Sequence, residues 1–252
     1  MNNKLALFLI VKLFLSFQVL GQNIQVNPSL LTGFQYNSGS GPSSEQSFEI
    51  WGSSLTDDIS IVPPTNYEIS LGTGGTFVAT NPLTLPEVGG GVGTTTIYVR
   101  LKAGLDGVSY NNEDITASTP GASNKTVTCS GKVFPDLVIN EVLADPAGDS
   151  SDDLEGDANG DGTRHALDDE FVEIINNETV TINFGGYTLS DYVGVRHTFP
   201  NPTNISAGQS IVVFGGGTPT DIPGTSQVAS TGSLELTNGG DEITVKMDQL
   251  LL

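Results

Sequence analysis

Apolar residues come along this chain in short bursts, separated by runs rich in Gly, Pro, Asn, Asp and Ser. The stretch Thr96-Ile-Tyr-Val-Arg-Leu-Lys102 alternates, placing Ile97, Val99 and Leu101 on one face. A period of two marks a half-buried strand. Similar bursts predict strands at Ser29–Tyr36, Ser47–Trp51, Ile59–Val62, Tyr67–Leu71, Thr76–Ala79, Asp114–Ser118 and Thr126–Val133. Turn-forming segments part them, among them Asn37-Ser-Gly-Ser-Gly-Pro42, Gly72-Thr-Gly-Gly75, Gly89-Gly-Gly91 and Pro120-Gly121. Short strands at this spacing predict a β-sandwich over residues 23–134.

Phe134-Pro135-Asp136 reads as a short linker. A second block, 136–252, predicts strands at Leu137–Leu143, Glu170–Ile175, Thr179–Ile182, Tyr187–Ser190, His197–Phe199, Ser210–Phe214, Ser233–Leu236 and Glu242–Lys246. Its first two strands flank an acidic insertion at 145–169. No segment after the N-terminal leader carries the helical period. The expected fold is all-β, with two immunoglobulin-like β-sandwich domains in tandem.

In the first block, Gly33-Phe-Gln-Tyr36, Gln46-Ser-Phe48, Tyr67-Glu-Ile-Ser70, Ile97–Lys102, Asp114-Ile-Thr116 and Ser130-Gly-Lys-Val133 resemble an Ig-like module repeated in large secreted proteins of Gram-negative bacteria. That resemblance implies a spacer or surface-display role and no active site. The second block resembles a lamin-tail domain. The matching residues are Val138-Ile-Asn-Glu-Val142, Asp169-Glu-Phe-Val-Glu-Ile174, Gly186-Tyr-Thr-Leu-Ser-Asp191, His197-Thr-Phe-Pro200, Ser210-Ile-Val-Val-Phe214, Leu234-Glu-Leu-Thr-Asn238 and Gly240-Asp-Glu-Ile243. In bacteria such a domain resembles an accessory module of secreted proteins. Such domains continue past the last strand, whereas this sequence stops at Met247-Asp-Gln-Leu-Leu-Leu252. The expectation is a C-terminally incomplete domain with an open sheet edge.

Composition narrows the partners. Lys and Arg total 9 against 29 Asp and Glu, a formal charge of −20. A chain so acidic repels nucleic acid and anionic membranes and attracts divalent cations. Its single cysteine, Cys129, allows no intrachain disulfide and sits in an alternating apolar run, where it reads as a small core residue. Residues 1–21 read as a secretory signal peptide. Met1-Asn-Asn-Lys4 is basic, Leu5 to Phe17 is apolar apart from Lys12 and Ser16, and Gly21 precedes a polar Gln22. The expected location is secreted or cell-surface, with no membrane insertion after cleavage.

One segment carries pointed chemistry. Asp157-Ala-Asn159-Gly-Asp161-Gly162-Thr163-Arg-His165-Ala-Leu-Asp168 matches the calcium-loop pattern. Calcium takes six to eight oxygens, and a tight loop offers them from alternate positions. Asp157, Asn159, Asp161 and Asp168 would supply side chains, and Thr163 its carbonyl. Gly162 permits the sharp turn, and Asp169 or Glu170 could replace Asp168. Asp145, Asp149, Asp152, Asp153 and Glu155 crowd the same insertion, a density of like charge that favours a cation. The competing reading is a solvated acidic turn. Strands rather than helices flank the loop, which points to a structural ion and not to a regulated switch.

Other constellations are weaker. Glu141 and Glu173 fall on neighbouring strands of the resembled fold, and paired carboxylates can cleave glycosides. Structural use is the favoured reading. Trp51, Tyr36, Tyr67 and Tyr98 could form a sugar-stacking platform or simply fill a core. His165 and His197 accompany no nucleophile motif. Gly215-Gly-Gly217 reads as a turn between strands. The sequence therefore predicts a non-catalytic, exported interaction or spacer module with structural Ca2+, whose partner is a protein or glycan. The alternatives are the accessory N-terminal part of a secreted hydrolase, or a carbohydrate-binding module.

Overall fold

The computed structural model describes residues 21–148 and 155–247. The expected signal peptide before Gly21, the acidic residues Asp149, Asp152 and Asp153, and the leucine tail all lie outside the described residues. Among the described residues every element is a strand. The first block holds β1 (Asn23–Asn27), β2 (Leu30–Asn37), β3 (Gln46–Ser53), β4 (Ile59–Val62), β5 (Tyr67–Ser70), β6 (Leu83–Leu85), β7 (Gly91–Leu101), β8 (Ser109–Ser118) and β9 (Lys125–Phe134). The second holds β10 (Leu137–Leu143), β11 (Phe171–Asn176), β12 (Ile182–Asn183), β13 (Tyr187–Ser190), β14 (Val195–Thr198), β15 (Asn204–Ile205), β16 (Ser210–Phe214), β17 (Thr225–Val228) and β18 (Thr244–Met247).

The first sandwich packs a four-stranded sheet, β1-β3-β7-β5, on a five-stranded one, β2-β9-β8-β4-β6. Alternation sets which residues meet. Ile97, Val99 and Leu101 of β7 are fully buried, as are Phe48 and Ile50 of β3 and Val127, Cys129 and Val133 of β9. Burial pushes the Cys129 thiol up to about 12, so it is an inert core group. Phe34 meets Tyr67 edge-on at 5.3 Å between ring centres. The Tyr67 hydroxyl donates to the Tyr110 carbonyl at 2.8 Å, which satisfies a buried polar tip. Tyr36 and Tyr67 are thus core residues. The burial of Tyr36 and Tyr67 rules out a sugar platform built on all four aromatic side chains, although Trp51 and Tyr98 are only half-buried.

The second sandwich sets the sheet β10-β11-β16-β17 against β14-β13-β18, with a small β12-β15 ladder beside them. Val172 and Ile174 of β11, Ile211 and Val213 of β16, Leu189 of β13, Phe184 and Phe199 form its core. The ring of His197 packs edge-on against Phe199 at 4.6 Å. The fold is all-β, two β-sandwiches in tandem.

Two expected strands are absent. Thr76–Ala79 contributes a single bridge, Val78 to Ile69. Ser233–Leu236 buries Leu234 and Leu236 as expected for alternation, yet it is not extended. Glu235 adopts φ 49° and breaks the strand, and the Leu236 N–H donates to the carboxylate of Glu170 at 3.1 Å instead of to a neighbouring strand. Thr179–Ile182 shrinks to the start of β12, and β1, β6, β15 and β17 form where no strand was expected.

Candidate metal-binding loop

Between β10 and β11, the described part of the acidic loop from residue 155 onward is fixed largely by its own short side chains. Asp157 Oδ2 accepts from the Gly162 N–H at 2.8 Å. Asn159 Oδ1 accepts from the Asp161 N–H at 3.0 Å, and Asp161 Oδ1 from the Thr163 N–H at 2.9 Å. Asp and Asn favour such local turns because their side chains reach their own downstream amides. Gly156 and Gly162 take positive φ, both at 87°. Arg164 closes the base, donating from Nε to the Ala147 carbonyl and from Nη2 to the Pro146 carbonyl, each at 2.8 Å.

Asp169 ties the loop shut. It is fully buried, its Oδ1 accepts from the Asn159 N–H at 3.0 Å, and its Oδ2 from the His165 N–H at 2.6 Å. Asp168 is half exposed, and its Oδ1 lies 3.3 Å from His165 Nδ1. The structure thus brings Asp157, Asn159, Asp161 and Thr163 into one hydrogen-bonded turn, and it places Asp168 beside His165.

A second segment holds the loop from beneath. The Gly216 N–H donates to the Asp168 carbonyl at 3.1 Å, and the Gly215 N–H to the Glu170 carbonyl at 2.8 Å. The Thr218 N–H donates to Asp161 Oδ2 at 3.1 Å, and the Thr220 N–H to the Asn159 carbonyl at 2.9 Å. The approach leaves no room for side chains. A Cβ on Gly215 would stand 1.9 Å from the Leu167 carbonyl oxygen, and one on Gly216 2.3 Å from Asp168 Oδ1. Gly215-Gly-Gly217 is therefore a cradle for the acidic loop, and not merely the turn that its composition suggested. A run of three glycines directly after a core strand was the available signal.

The donor set fits a hard divalent cation on one observation. Asp157 Oδ1 is buried and has no hydrogen-bond partner among the described residues. A carboxylate oxygen is an acceptor only, and leaving one buried and unmatched costs about 1–3 kcal/mol. Among the described residues, no Lys or Arg pairs with Asp157, Asp161, Asp168 or Asp169. Nor do three Asp, Glu, His or Cys side chains converge there to hold an ion by themselves. An ion at this loop would draw on the Asn159 amide oxygen, the Thr163 carbonyl and water beside the carboxylates, the mixed oxygen shell that calcium accepts.

The remaining candidates have structural places. Glu141 and Glu173 face each other in the β10–β11 register, and the Glu173 carboxylate accepts from Asn140 Nδ2. His197 is buried, its Nε2 meets Gln227 Oε1 at 2.7 Å, and its Nδ1 accepts from the Ser230 N–H at 3.1 Å. Burial lowers its pKa, so the ring is neutral and carries its proton on Nε2. Asp191 and Arg196 pair at 2.7 Å beneath the β13–β14 hairpin.

No curated protein matches this sequence. Among solved structures, the ASH/PapD-like domain 7 of human CEP192 is similar at 11% identity and a TM-score of 0.29, over 52% of this chain and 98% of that one. The CooA pilin subunit of enterotoxigenic Escherichia coli is similar at 10% identity and 0.30, over 46% of this chain and 99% of that one. The CsuC–CsuE chaperone–tip subunit complex of Acinetobacter baumannii is similar at 8% identity and 0.25, over 88% and 97%. Residues 131–249, which contain the acidic loop, its glycine cradle and the whole second sandwich, match the family model of the Lamin Tail Domain.

Proposed function

We propose that this chain is an exported, non-catalytic interaction or spacer module whose acidic loop is ordered by a structural calcium ion. The observation that carries the calcium reading is the buried Oδ1 of Asp157, which has no hydrogen-bond partner among the described residues. Asp157, Asn159 and Asp161 would hold the ion with the Thr163 carbonyl, and Asp168 would complete the set by turning from His165. The ion supplies positive charge to a segment in which no Lys or Arg among the described residues pairs with these acids. The loop's own amides and the glycine cradle preorganise it. Export is supported by the basic-then-apolar leader and by β1, which begins at Asn23, directly after the expected cleavage position. The partner is a protein or a glycan.

Isothermal titration calorimetry with CaCl2 tests the site. Binding in the micromolar to millimolar range, a rise in melting temperature by ligand linkage, and loss of both in Asp157→Ala/Asp161→Ala are the expected results. No heat at millimolar calcium, with a melting temperature indifferent to EGTA, would overturn it. Mass spectrometry of the exported protein tests the leader, with a mature N-terminus near Gln22 expected.

A further inference from the structure

We propose that Glu178 is a latch that locks the two sandwiches into one rigid body. Glu178 belongs to the second sandwich, in the turn between β11 and β12, and is only 7% exposed. Its carboxylate takes donors from three separate segments. Oε2 accepts from Ser38 Oγ at 3.2 Å, just after β2, and from the Gly107 N–H at 3.0 Å, between β7 and β8. Oε1 accepts from the linker N–H of Asp136 at 2.6 Å. Bonds to an ionised acceptor are about twice as strong as neutral ones. One side chain thus joins the end of one sandwich, the linker and the start of the other.

The turn that carries Glu178 is itself immobilised. Its N–H donates to Asn176 Oδ1 at 3.0 Å. Asn176 is fully buried, and its Nδ2 contacts the carbonyls of Val180, Ile205 and Ser206 at 2.9, 3.0 and 3.1 Å. Neighbours on both sides add further ties. Thr179 Oγ1 donates to Asp106 Oδ1 at 2.7 Å, and Asn177 Nδ2 to Asp136 Oδ2 at 2.8 Å. Val108, from the first sandwich, packs against the core of the second. Gly107 passes so near the linker that a Cβ there would stand 2.2 Å from Pro135 Cα. Domains joined by a linker move independently unless their interface is extensive or specific. Here the specificity is a buried carboxylate of the second sandwich that accepts from the first sandwich and from the linker. This inference stands apart from the calcium reading and would survive its failure.

The test uses the full chain. Residual dipolar couplings from the two sandwiches of the wild type should fit one common alignment tensor, with the calcium state held constant by EGTA. Glu178→Ala should abolish the common tensor, giving two of unequal magnitude, while each sandwich keeps its own chemical-shift pattern. If Glu178→Ala fails to fold, Glu178→Gln, which keeps the shape but removes the charge and turns an amide NH2 toward the N–H donors of Gly107 and Asp136, should lose the common tensor instead. Independent tensors in the wild type, or a common tensor that survives in the folded variant, overturns the proposal.

Discussion

Gly217 lies so close to Asp161 that a Cβ on the glycine would stand 2.6 Å from the carboxylate Oδ2, and 2.3 Å from Asn159 Nδ2. Its φ of 72° also disfavours any side chain. Gly217→Ala should therefore destabilise the fold by about 1–3 kcal/mol and weaken the proposed calcium binding in the same variant. Gly194→Ala is the control, because nothing lies within 4 Å of its Cβ position. Urea titrations of the two variants check this. Equal stabilities would remove the cradle from the account.

Glu141 and Glu173 stand directly opposite in the β10–β11 ladder. Like charges in that position repel. Glu141→Lys should stabilise the protein by about 0.2–1 kcal/mol at low ionic strength, and the gain should shrink in high salt. A catalytic carboxylate would behave otherwise, since its replacement abolishes activity. Chemical denaturation at two salt concentrations decides it, and a Lys variant no more stable than wild type rejects the repulsion.

Burial lowers the pKa of His197 below its ordinary value of 6.5. The unfolded chain therefore takes up the proton first as pH falls. The contribution of this group is intact above the ordinary value and is lost progressively below it. Stability should slope downward from about pH 7 to pH 5, and His197→Gln should flatten that part of the curve. Melting temperatures across the range measure it. An unchanged slope in the variant would assign the acid sensitivity elsewhere.

The Asp191 side chain is 2% exposed and pairs with Arg196. Desolvation works against its charge, but the Arg196 guanidinium and the N–H groups of Gly194 and Val193 outweigh it and hold the carboxyl below its usual range. Arg196→Ala leaves a buried carboxylate without its cation and should cost about 3 kcal/mol at neutral pH. A depressed carboxylate stabilises above its unfolded value and loses that contribution as pH falls, so the gap between variant and wild type should narrow on acidification. A gap that holds constant from neutral to acid pH would show that packing alone is at stake.

Apolar bursts made several strands legible. β4, β10, β13 and β16 begin and end where the apolar pattern placed them. Only β4 and β13 owe this to one dry face, since β16 is buried on both faces and edge strand β10 is at most half-buried. Ser233–Leu236 shows the limit of that rule. Leu234 and Leu236 are buried as the pattern demands, but a carboxylate from β11's approach captures the Leu236 amide and the chain bends at Glu235. Periodicity reports burial, and a side-chain acceptor can meet the backbone without a strand. β1 escaped notice because Asn-Ile-Gln-Val-Asn offers too few apolar positions. The acidic loop was visible as a motif, whereas the roles of Asp169 and Gly215-Gly-Gly217 were not. Both act through contacts between segments distant in sequence, and spacing along the chain carries no record of them.

β2 runs parallel to β9, with Leu30 beside Thr128 and Asn37 beside Phe134. That pairing makes the closure of the first sandwich a late event. Most of its strands must be present before its earliest long one finds a partner, and non-local, parallel closure of this kind is slow. During synthesis, apolar strands such as β3 and β4 wait without their final neighbours, the stage at which growing chains stick to one another. Charge gives those unfinished chains little protection, because residues 1–134 hold 9 acids against 6 bases, a formal charge of −3. The remaining −17 of the −20 arrives with the second block, after the exposed stage it would otherwise guard.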